Sequence, residues 1–124
     1  MINNDLRDFQ FYAGTVATPR SQAALTRLIK RACYGVFPHV AASYEQSPHT
    51  HCHILVAGNP TDEQLAKFKK RLSDNSITWL ERLKTFEAVG RYRDYALGIA
   101  RHKDKAITPI LLIQTEIFWS PAFN

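Results

Sequence analysis

Residues 22–33 repeat their apolar positions at the helical interval, with Leu25, Leu28, Ile29 and Ala32 on one face. Ser21 is placed to cap this helix and Gly35 to end it. A second helical period covers residues 62–73, with Leu65, Phe68 and Leu72 inward. Ahead of it, Thr61-Asp62-Glu63-Gln64 matches a capping box, in which Thr61 caps and Gln64 reaches back. Residues 9–17 are rich in aromatic and β-branched side chains and predict a first strand, with loose polar chain over 1–8. Residues 40–45 have strand character, Gln46-Ser47-Pro48 is turn-like, and residues 49–58 predict the returning strand, closed by Gly58-Asn59-Pro60. Residues 77–84 are ambiguous, a loop or a short strand around Trp79. Residues 85–89 read as a short strand, followed by a third helix from near Gly90 to Lys105 and a last strand over 107–118. The order β-α-β-β-α-β-α-β predicts an α+β fold: a central five-stranded antiparallel sheet with flanking helices, in one domain spanning 1–124.

The returning strand of the hairpin is the unusual element. Side chains alternate between faces along a strand, so His49, His51 and His53 share one side, and Thr50, Cys52, Ile54 and Val56 share the other. Neutral imidazole is the commonest protein ligand for metals. If the hairpin is centred near Pro48, Glu45 lies opposite His51, and two imidazoles and a carboxylate share one face. A slip of one residue would turn Glu45 away. His49 borders the turn and is the weakest of the three. Cys52 points to the apolar side and reads as a small core residue.

His51-Cys52-His53 followed by Ile54-Leu55-Val56 resembles the His-hydrophobe-His motif of HUH endonucleases. These include rolling-circle replication initiators and single-tyrosine transposases. The resemblance implies their fold, which is similar to RNA-recognition modules. It also implies a divalent metal ion, Mn²⁺ or Mg²⁺, held by Glu45, His51 and His53. Such enzymes nick and rejoin single-stranded DNA, at an origin or a hairpin, through a tyrosine on a later helix. Arg91-Tyr92-Arg93-Asp94-Tyr95 supplies the candidates, and Tyr95 is the expected nucleophile, with Tyr92 one turn earlier expected to pack the helix on the sheet. Arg91, Arg93, Arg101 and Lys103 are the expected DNA contacts. The sequence departs from the family after the tyrosine: Gly98 and Ile99 stand where a lysine is usual.

Composition adjusts this picture modestly. The 16 Lys and Arg exceed the 11 Asp and Glu, and the net charge of +5 favours an anionic partner. Arg27, Lys30 and Arg31, and likewise Lys67, Lys69, Lys70 and Arg71, read separately as solvated helix faces. Two cysteines without a motif give no oxidised scaffold, and no apolar run is long enough to span a membrane. The expectation is a monomeric protein without membrane contact that works inside a cell. That compartment is the host nucleus for a protein of a eukaryotic virus and the cytoplasm for one of a plasmid or phage. Besides a structural metal domain with no activity, two alternatives to a replication initiator remain open. One is a small single-tyrosine transposase, which a stable dimer would favour. The other is a non-catalytic module binding nucleic acid on its sheet, although its central strand carries histidines where base-stacking aromatics are wanted.

Overall fold

The computed structural model describes residues 6–17, 21–45, 51–73, 77–96 and 116–119. In chain order they form β1 (Gln10–Ala17), α1 (Gln22–Cys33), β2 (His39–Glu45), β3 (His51–Gly58), α2 (Asp62–Ser73), β4 (Ile77–Leu83), α3 (Phe86–Ala96) and β5 (Glu116–Trp119). The class is α+β. Four strands make the body of an antiparallel sheet in the order β4-β1-β3-β2, and β5 runs along the outer edge of β2. The long last strand expected over 107–118 is thus described only as a four-residue edge piece at Glu116–Trp119, and 97–115 lie outside the described residues. The first six elements interleave two β-α-β units, the split βαβ arrangement.

Alternation along the strands assigns each side of the sheet to different helices. Tyr12 and Val16 of β1, Ala42 of β2, and Cys52, Ile54 and Val56 of β3 are buried beneath α1 and α2. The inward stripe of α1 is Leu25, Ile29 and Ala32, and α2 adds Phe68 and Leu72. Burying a side chain such as Leu25 or Ile29 contributes about 1.5–3 kcal/mol. Local chemistry sets both helix starts. The Ser21 hydroxyl accepts the Ala24 N–H at 3.2 Å. Thr61 and Gln64 close a reciprocal box at 2.9 and 3.2 Å. Gly35, at φ 74°, takes the left-handed turn that ends α1. Cys33 and Cys52 are free thiols in this core, each pushed up to about 12 by burial, so both stay protonated at neutral pH.

The opposite side is covered by α3. Phe11 and Ala13 of β1, Ala41 of β2, and Leu55 and Ala57 of β3 pack there with Val89 and Tyr92. Two expectations are corrected and one open reading is decided. Residues 85–89 do not make a strand: Thr85 caps a helix, its hydroxyl accepting the Ala88 N–H at 3.1 Å and its carbonyl the Val89 N–H at 3.3 Å. The helix therefore starts at Phe86, with Gly90 inside it. The β-branched and aromatic content of 85–89 hid the three-residue step Phe86, Val89, Tyr92. The stretch open between loop and short strand is a strand, β4, at the sheet edge, whose ladder partner β1 lies far off in sequence. The N-terminal chain is anchored from Leu6 onward. Leu6 is buried among the α3-side residues, and Arg7 lies over the Phe86 ring, 4.9 Å from its centroid. Among the described residues no helix is long and apolar enough to cross a membrane.

Candidate active site

The hairpin pairs Glu45 with His51 and Ser43 with His53. On the other flank of β3, Thr15 pairs with His53 and Ala17 with His51. Thr15 in turn pairs with Trp79 on β4. One row therefore crosses four strands as Trp79, Thr15, His53 and Ser43, and the next row holds positions 17, 51 and 45. By alternation all of these positions lie on the side covered by α3, together with Leu55 and Ala57. The structure describes the backbone at Glu45, His51 and Tyr95 but not their side chains. His49, Arg101 and Lys103 lie outside the described residues.

His53 is the ligand candidate seen in full. It is buried, and its Nδ1 lies 3.4 Å from the Thr15 hydroxyl. Ser43 beside it is fully buried. A polar patch in the middle of a sheet costs stability unless its groups are satisfied. Such a hydroxyl partner on one imidazole nitrogen fixes the ring and leaves the other nitrogen to act as ligand or base. Thr15 and Ser43 escaped sequence reasoning for different reasons. Ser43 follows from Glu45 by stepping back two along the strand. Thr15 becomes a neighbour only through the long-range β1–β3 register.

Tyr92 holds the helix on the sheet, as expected of it. Its hydroxyl donates to the Gly14 carbonyl at 2.8 Å, and its ring lies 6.1 Å from that of Trp79. The acceptor sits beside the irregularity at Thr15/Val16 where the β1–β4 register shifts. Tyr92→Phe should cost about 1–2 kcal/mol in urea unfolding, because it strands a buried acceptor. Retained stability would mean that the bond contributes nothing net.

Two side chains dock α3 on the sheet. The Phe86 ring packs on Phe11, with centroids 5.9 Å apart, and Tyr92 reaches Gly14. Tyr95 follows three residues after Tyr92, near the C-terminal end of α3. Of the expected DNA contacts, Arg91 is exposed. Arg93 is half-buried, and its guanidinium meets the Asp94 carboxylate at 3.0 Å, which offsets much of its charge. Trp79, 41% exposed at the end of the polar row, is a further aromatic surface beside the site.

Among the described side chains, no three His, Cys, Asp or Glu cluster as a metal site; the side chains of Glu45 and His51 are not among them. Comparison with protein-family models, with curated proteins and with solved structures finds no match.

Proposed function

We propose that this protein is a metal-dependent endonuclease of the HUH type, nicking and rejoining single-stranded DNA through Tyr95 as a replication initiator does. The observation that carries the reading is the meeting of two elements. The strand that carries positions 51 and 53, paired with positions 45 and 43, lies on the side of the sheet covered by α3, and α3 includes Tyr95. A phenol alone is a poor nucleophile at neutral pH, since it is mostly protonated.

Glu45, His51 and His53 would hold a divalent cation, Mn²⁺ or Mg²⁺. The donor set fits: two imidazole nitrogens and one carboxylate at adjoining register positions, one ring steadied by Thr15. Such an ion, when bound, supplies Lewis-acid polarisation of a phosphate. The chain's own part is nucleophilic. The Tyr95 hydroxyl gives up its proton, its oxygen bonds to phosphorus, and the bond from phosphorus to the 3′ oxygen breaks. That oxygen takes a proton and leaves as a 3′-hydroxyl, while the 5′-phosphate stays on the tyrosine. Reversal joins a new 3′-hydroxyl without a nucleotide cofactor. The non-catalytic alternative needs an open sheet surface for bases, and α3 covers the side in question.

The test is incubation of the protein with a degenerate pool of single-stranded oligonucleotides and Mn²⁺, followed by denaturing electrophoresis and peptide mapping. A nucleotide on Tyr95 is expected, and Tyr95→Phe should remove all adduct. An adduct on Tyr92 would move the chemistry one turn back and require its bond to Gly14 to open. Absence of any adduct with either Mn²⁺ or Mg²⁺ would remove the reading.

A further inference from the structure

The helical layer on the far side of the sheet carries a charge pattern that the candidate site does not use. α1 contributes Arg27, Lys30 and Arg31 and no acid. α2 contributes Lys67, Lys69, Lys70 and Arg71 against Asp62 and Glu63 in its first turn. Seven cations against two carboxylates leave an excess of five, which equals the net charge of the whole chain. The remaining nine of the 16 basic residues and nine of the 11 acidic ones balance. These two helices alone therefore carry a local excess of five positive charges.

The fold joins what sequence separates by 40 residues. Gln64 Nε2 donates to the Gly35 carbonyl at 3.3 Å, and Arg71 Nη1 donates to the Arg31 carbonyl at 3.4 Å. The edge of α2 made by Gln64, Lys67 and Arg71, at i, i+3 and i+7, thus runs along α1. All seven cations are exposed. On α1, Arg27, Lys30 and Arg31 lead at i, i+3 and i+4 to Tyr34 at i+7, which is 85% exposed. Its backbone is firmly held. The Tyr34 N–H donates to the Lys30 carbonyl at 3.1 Å, and the turn at Gly35 lets the Val36 and Phe37 N–H groups both reach the Cys33 carbonyl at 2.9 Å. A rigid helix end therefore presents this ring to water.

We infer that the α1–α2 layer binds single-stranded DNA, its cations along the phosphates and Tyr34 stacked on a base. Cations alone would attract any polyanion, whereas an exposed ring at the end of the cationic stripe favours a strand whose bases are unpaired. The choice of DNA rests on the endonuclease reading. The sheet separates this layer from α3, so the strand on the helices is a segment remote from the one at Tyr95. It serves to retain a flank of the substrate.

The test is fluorescence anisotropy of a labelled oligothymidylate in EDTA, from low to moderate salt, on the intact chain. Arg27→Gln/Arg31→Gln/Lys67→Gln removes three phosphate contacts and should make the slope of log affinity against log salt shallower by about 2. Glutamine preserves helix propensity, and an unchanged circular dichroism melt checks the fold. Tyr34→Ala should weaken binding about 5- to 150-fold and Tyr34→Trp should restore it. An unchanged slope in the triple variant, full affinity in Tyr34→Ala, or equally tight binding of duplex DNA or of phosphatidylserine vesicles would each overturn the inference. The outcomes also separate from those of the endonuclease test. Lost binding in these variants, with no adduct on the wild-type chain, keeps this surface and removes the nuclease. Adduct formation with unaltered binding does the reverse.

Discussion

His51→Ala and His53→Ala are each expected to lower Mn²⁺-dependent nicking by more than about 100-fold, since even outer-shell changes at metal sites cost about 10- to 100-fold. The two substitutions should differ in stability. His53 is buried between Thr15 and Ser43, so its truncation opens a hole and removes the contact with the Thr15 hydroxyl. A loss of about 1–3 kcal/mol in urea unfolding is expected for His53→Ala. His53→Gln should regain part of that stability without regaining nicking, which separates the ligand role from the packing role. Thr15→Val should keep the fold and lower Mn²⁺ affinity about 10- to 100-fold, measured by calorimetry. Full nicking in either histidine variant would exclude that residue as a ligand.

Gly14→Ala is expected to be the most damaging small substitution in the sheet. A Cβ built at Gly14 would lie 2.5 Å from the Trp79 carbonyl oxygen and 3.2 Å from Leu80 Cδ1. The first neighbour is backbone of β4, so relief requires the strand itself to move. The Gly14 carbonyl also receives the Tyr92 hydroxyl, so the same shift loosens α3. A cost of about 2–4 kcal/mol is expected, which corresponds to a fall in Tm of roughly 10 °C for a chain of this size. Because α3 carries Tyr95, adduct formation should fall along with stability, even well below the melting temperature. A melt within about 2 °C of wild type would mean that β4 can retreat freely from β1.

Both expectations depend on contacts between elements far apart in sequence, and the legibility of this protein divides along that line. The helix of Leu25 and Ile29, the capping box of Thr61 and Gln64, and the stop at Gly35 were readable, because each is decided within one or two turns. The facing of positions 45 and 51 was readable too, because strands joined by few residues pair in a register set by the length of the connection. The start of α3 was not: residues 85–89 suit a strand by composition, and only the Thr85 cap and the packing of Val89 against β1 and β3 settle the helix. β4 was equally obscure, being an edge strand with Glu81 and Arg82 exposed and no clean apolar face. Nothing local says that Thr15 stands beside His53, or that α1 and α2 pool their charge. Periods of 3.6 and 2 residues assign faces to an element, whereas neighbours across a sheet follow from which strands pair, and that is decided by burial over the whole chain.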